Sequence, residues 1–130
     1  MKSAQYWIDH LQLEPHPEGG FYKEMYRSYE TISKISLPSR YVGDRNFCTS
    51  IYFLLRSEDI SAFHIISSDE LCYFHAGSPV DVYTMEDQDV KVVLLGLLVE
   101  YGHILQGTIP KNCWFGALVT ESNSYAFVHL

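Results

Sequence analysis

Apolar positions in the first residues of this chain fall at helical spacing. Ala4, Trp7, Ile8 and Leu11 lie on one face, Ser3 is placed to cap that face, and Pro15 ends it by steering Glu14 away from helical geometry, so a helix belongs within residues 1–14. Beyond the segment Glu14–Gly20 the helical period does not return. Short alternating runs follow at Phe21–Ser28, Cys48–Leu55, Ser61–Ile66, Leu71–His75, Val80–Thr84, Val90–Leu95, His103–Ile109, Cys113–Thr120 and Ser124–His129. Between them stand turn-forming clusters: Ser-Ser-Asp at 67–69, Ala-Gly-Ser-Pro at 76–79, Pro-Lys-Asn at 110–112 and Glu-Ser-Asn at 121–123. Strands at this spacing without intervening helices predict an all-β sandwich, jelly roll or barrel. Residues 30–46 are polar and carry no period, which predicts a long surface loop.

Length and composition narrow this picture. The 130 residues suffice for one domain, 1–130, and 47% hydrophobic residues can build its core without covalent staples. Three cysteines in no Cys-x-x-Cys pair suit a reducing, cytoplasmic setting better than a disulfide framework. No apolar run has the length of a membrane span, so no membrane partner is expected. The net charge of −7 arises wholly after residue 50, where three basic residues face ten acidic ones. That is the reverse of a nucleic-acid footprint, and no nucleic-acid partner is expected.

The chemistry-bearing stretch is Phe63–Gly77. His64 and Glu70 flank a polar turn, and strand parity points both at one interior. An imidazole beside a carboxylate is either the start of a metal site or an acid–base pair; a buried core histidine and a turn-capping glutamate are the bland alternatives. Cys72 and Phe74 share the parity of Glu70, whereas Tyr73 and His75 look the other way. Of Trp114 and Phe115 only one can face inward. His10, His16, His103 and His129 share no spacing and read as surface or boundary residues. On Phe21–Ser28, Tyr22, Glu24 and Tyr26 share one face, a mixture of aromatic and charged groups that suits a polar, ring-shaped ligand as well as it suits solvent.

The sequence resembles the cupins. Their first motif is His-x-His, three or four residues, Glu, six residues and Gly, and His64-Ile65-Ile66, Ser67–Asp69, Glu70 and Gly77 fit its spacing. Pro110–Phe115 occupies the place of the second motif, where Phe115 stands at its histidine. Dispersed pieces in order, Leu13–Tyr22, Tyr26–Ser28, Ser50–Leu55, Ser68–Glu70, Ala76-Gly77 and Cys113–Ala117, are similar to a small subfamily of the Cupin_5 type, a domain of unknown function. The resemblance implies a double-stranded β-helix (cupin jelly roll) with a short N-terminal helix, and a homodimer. Cupin metal sites use three His and one Glu. Here Ile66 and Phe115 fill two of those places, so two ligands remain where a catalytic ion needs at least three, and neither metal nor other cofactor is expected.

The resemblance to metal-free cupin sugar epimerases and isomerases implies a pocket for a small polar ligand, carbohydrate or sugar nucleotide. In it His64 would be the base, Glu70 its orienter, and Tyr52 or Tyr22 the acid. Tyr22, Tyr52, Cys72, Phe74, Gln106 and Phe115 are the expected ligand-binding residues. A non-catalytic binding or scaffold barrel is the second reading. A residual metal enzyme recruiting His75 or Gln106 is the third.

Overall fold

The computed structural model describes all 130 residues, Met1–Leu130. Helix α1 (Ala4–Leu11) precedes twelve strands: β1 (Glu14–Pro15), β2 (Phe21–Arg27), β3 (Thr31–Ile32), β4 (Arg45–Asn46), β5 (Thr49–Arg56), β6 (Ser61–Ile65), β7 (Glu70–Gly77), β8 (Val80–Glu86), β9 (Asp89–Leu95), β10 (Gln106–Ile109), β11 (Trp114–Leu118) and β12 (Tyr125–His129). One sheet has the order β1-β2-β5-β12-β7-β10 and the other β6-β11-β8-β9, with every pairing of named strands antiparallel. The two sheets enclose an apolar core, giving the all-β jelly roll that the strand pattern and the family resemblance predict. No helix is long and apolar enough to cross a membrane.

The helix forms as the sequence suggests, with the Ser3 hydroxyl accepting the Tyr6 backbone N–H at 3.1 Å. It stops earlier than residue 14. Gln12 takes a left-handed conformation (φ 57°) and its N–H returns to Asp9 O, which closes the helix before Pro15 is reached. Its apolar face, Ala4, Trp7, Ile8 and Leu11, lies on the outer side of the six-stranded sheet against Leu13, Leu54, Tyr125 and Phe127. Trp7 Nε1 donates to the Tyr125 hydroxyl at 2.8 Å, which pins this outer layer. Strand β5 is therefore apolar on both faces: Phe53 and Leu55 belong to the inner core, while Leu54 and Tyr52 belong to the outer layer.

Residues 30–46 are more ordered than a plain loop. They hold the two-stranded β3–β4 ladder and fold back on the turn between β6 and β7. Arg40 Nε donates to Ser67 O at 2.8 Å, and the Tyr41 hydroxyl bonds Ser68 Oγ at 2.6 Å.

Candidate functional site

Between the sheets lies a cavity of about 100 Å³. Thirteen of its seventeen lining residues are hydrophobic; the four polar ones are His16, Ser61, His64 and Glu70. The polar groups thus gather in one otherwise greasy chamber, the arrangement that orients a small ligand.

His64 reaches the chamber because β6 is irregular. Phe115 pairs with His64 but Ala117 pairs with Ser61, so two residues of β6, Ala62 and Phe63, oppose Gly116 alone. This bulge lets Ser61 and His64, three residues apart, both face inward. Gly116 makes room for it, since a Cβ there would lie 2.9 Å from Ser61 O and 3.0 Å from the Phe63 ring. The His64 ring packs against Phe115, centroids 4.2 Å apart, and its Nδ1 lies 2.8 Å from Ala62 O. The backbone carbonyl orients this imidazole. Glu70 does not: no hydrogen bond joins the two side chains, and Glu70 Oε1 is buried with no partner at all. Burial raises the Glu70 pKa above the usual carboxylate value, with the His64 charge pulling the other way. Burial and the neighbouring Glu70 charge likewise push the Cys72 thiol up to about 12, which leaves it an inert wall.

His16, read from the sequence as a surface or boundary residue, is half-buried and lines the cavity too. Its position comes from a turn rather than from a strand. Gly19 (φ +105°) and Gly20 (φ +75°) take left-handed conformations, and an added Cβ on Gly19 would stand 2.2 Å from Ile60 O. The turn is closed on itself by His16 N–H to Gly20 O at 2.8 Å and tied to β6 by Ala62 N–H to Glu18 O at 2.9 Å. The Glu18 N–H donates to His16 Nδ1 at 3.0 Å. Burial lowers the His16 pKa; Glu18 opposes this and the His64 charge adds to it.

Among the other expected site residues, Cys72 and Phe115 line the cavity. Phe74 is buried in the surrounding core. Tyr22 stands behind His16, ring centroids 4.8 Å apart, and is not part of the lining. Glu24 and Tyr26, on either side of a register shift in β2, are both exposed. Tyr52 faces the outer layer, packing on Phe127 and His75, because Ile51 and Phe53 take the inward positions of β5. Gln106 is exposed opposite Tyr73, since Gly107 and Ile109 take the inner face of β10. His75 lies outside the barrel and bonds His129 at 2.8 Å. Neither tyrosine is positioned as an acid, and neither His75 nor Gln106 can supply a cavity ligand.

A metal ion fits this donor set poorly. Ile66 packs into the core and Phe115 is apolar, which leaves His64 and Glu70 from the motif positions. His16 does not make a third ligand. Its Nδ1 accepts a backbone N–H, so the other nitrogen, Nε2, carries the hydrogen, and an N–H has no lone pair to offer. No group of three His, Cys, Asp or Glu side chains converges as a metal site anywhere in the chain.

The family model described as Cupin superfamily (DUF985) matches residues 5–130. Among solved structures, a hypothetical protein from Leishmania major is 34% identical with a TM-score of 0.87, over 98% of this chain and 79% of that one. A crystal structure of a Shewanella oneidensis protein is 36% identical with a TM-score of 0.86, over 99% of this chain and 76% of that one. No curated protein matches the chain.

Proposed function

The chain belongs to the cupin superfamily (DUF985), and from that premise we propose that its barrel is a metal-independent pocket in which His64 and Glu70 perform acid–base chemistry on a small polar ligand. The observation that carries this reading is Glu70, a buried carboxyl whose Oε1 meets no protein donor or acceptor while it faces a ligand-sized chamber. A carboxyl whose pKa burial raises gives up a proton nearer neutrality than a free one and can serve as an acid, and the imidazole beside it is the base. His64 takes a proton from the carbon next to a ligand carbonyl. The C–H electron pair becomes the new C=C bond, and the carbonyl electrons move to oxygen, where Glu70 gives its proton.

Cavity size limits the ligand. A chamber of about 100 Å³ lies below the ~300 Å³ at which pockets for drug-sized ligands begin, which suits a small molecule and not a sugar nucleotide. A three-carbon hydroxyketone, the smallest fragment of a ketose, has the right size and the reactive C–H. The test is hydroxyacetone in D2O with loss of its C–H signal followed by proton NMR. Exchange above the buffer rate supports the reading, and exchange equal to that of a His64→Ala variant refutes it. The thirteen apolar wall residues favour a plain binding barrel as second reading, and the same assay separates the two: ligand-induced shifts without exchange mean binding alone.

Glu70 also sets a pH signature. Its folded pKa lies above the ordinary 4.5, so the folded chain retains a proton that the unfolded chain loses. Stability contributed by that proton is present below the ordinary value, falls as pH rises through the folded pKa, and stays lowered above it. A Glu70→Gln variant is expected to melt higher than the wild type at neutral pH, with the difference shrinking toward zero in acid. A pH-independent difference in melting temperature counts against a buried, strained carboxyl.

The protein is further proposed to pair with a second copy, and its three free cysteines fit a reducing, cytoplasmic setting. The outer face of the four-stranded sheet presents Phe63, Ile65, Trp114, Val90, Val92 and Leu94. Six half-exposed side chains at roughly 100 Å² each approach the ~800 Å² per partner of a standard interface. A two-fold interface sets such a patch against its own copy, and Asp81 of the intervening β8, beside Leu94, is a charge that the pairing must keep apart from its equivalent. A Trp114→Glu variant is expected to run as a monomer in light scattering where the wild type runs as a dimer. An unchanged mass rules out this face.

A further inference from the structure

We propose that the backbone sets the two cavity histidines, as neutral rings, in opposite tautomers, so that His16 is a hydrogen-bond donor and His64 an acceptor toward a ligand, and that the pair selects a small carbonyl compound bearing an acidic C–H. The inference rests on the acid–base reading above for its chemistry, but its geometry stands independently.

Each ring uses one nitrogen on the main chain. His64 Nδ1 lies 2.8 Å from Ala62 O, and a carbonyl oxygen only accepts, so the hydrogen sits on Nδ1. In the neutral ring His64 Nε2 is then a bare lone pair. His16 Nδ1 lies 3.0 Å from the Glu18 N–H, which only donates, so Nδ1 is bare and the hydrogen sits on Nε2. Both residues line the same cavity, and neither Nε2 has a protein partner. The nitrogens left for a ligand are therefore one acceptor and one donor.

This division supplies what proton abstraction next to a carbonyl requires. The base must be bare, and the oxygen that gathers charge needs a donor already in place. His16 cannot exchange roles, since a second proton on Nδ1 would face the Glu18 N–H head-on. It stays neutral and donates from Nε2. A carbonyl oxygen accepts that hydrogen bond while the adjacent C–H meets His64 Nε2. On transfer, the C–H pair forms the C=C bond, the carbonyl pair settles on oxygen against His16 and the Glu70 proton, and His64 becomes an imidazolium. Return of a solvent-exchanged hydron from His64 to carbon restores the ketone. A ligand with only donor groups, such as an alkylammonium ion, leaves the His16 N–H unpaired and is disfavoured.

Long-range proton–nitrogen NMR of the histidine rings tests the assignment in the wild-type protein at neutral pH, with His16→Gln and His64→Gln used only to identify signals. The expected result is His64 in the Nδ1–H form and His16 in the Nε2–H form, with hydroxyacetone shifting both Nε2 signals and ethylammonium leaving that of His16 unmoved. Either ring in the other tautomer, a doubly protonated His16, or no response to hydroxyacetone overturns the proposal. The expected tautomers and shifts without deuterium exchange leave this inference standing and remove only the acid–base reading. Exchange by rings in the wrong tautomers does the reverse.

Discussion

Replacing Gly19 by alanine is expected to cost roughly 3 kcal/mol or more of folding stability, read as a lowered urea midpoint at unchanged slope. Two effects add. A φ of +105° is one that side-chain-bearing residues rarely adopt, and the new Cβ would stand 2.2 Å from Ile60 O, a backbone atom that cannot swing aside. The turn must then open, which breaks the Glu18 O contact to Ala62 N–H and withdraws His16 from the chamber. The variant is expected to lose both stability and the His16 ligand response. A midpoint within about 1 kcal/mol of the wild type would mean that the turn is not what holds His16. Gly43, whose Cβ would meet nothing within 4 Å, is the natural control.

The largest functional effect is expected at His64. Removing a positioned general base typically slows proton transfer by about 10²–10⁴-fold, and His64→Ala is expected to reduce hydroxyacetone exchange by that order. His64 is only half-buried and bonds a local carbonyl, so the fold should tolerate the change, and an unaltered circular dichroism spectrum establishes that it has. His16→Gln keeps an N–H donor and is expected to lose less activity than His16→Ala. Equal losses in the two would argue that His16 fills space rather than donates.

Much of this architecture was legible in the residues. Alternation located the nine longer strands, and the helical spacing of Trp7, Ile8 and Leu11 located the helix. The cupin register placed His64, Glu70, Cys72 and Phe115, all of which line the chamber. What escaped has identifiable causes. His16 is set by two left-handed glycines and by a main-chain contact from Glu18 to Ala62 of β6, non-local geometry that no periodicity encodes. Its Pro-His-Pro-Glu-Gly-Gly setting was the one available signal, because two prolines and two glycines around a histidine describe a rigid, purposeful turn. Tyr52 was misplaced because β5 is apolar on both faces, one toward the core and one under α1, and parity cannot tell the two apart. The β6 bulge could not be read either, although Gly116 opposite Phe63 is its trace. Glu70 as orienter of His64 was a reasonable expectation from residue types, but the Ala62 carbonyl lies closer along the chain and takes the ring nitrogen first.

Independence from metal is the central claim, and deuterium exchange by metal-stripped protein tests it most directly. The protein as purified from metal-replete medium is expected to carry well under one equivalent of iron, manganese, nickel or zinc, because His64 and Glu70 are two ligands where at least three are needed and His16 presents an N–H. Exhaustive chelation followed by elemental analysis should then leave the hydroxyacetone exchange rate unchanged. A rate abolished by chelation and restored by one of those ions would contradict the acid–base pocket and make this barrel a metal enzyme.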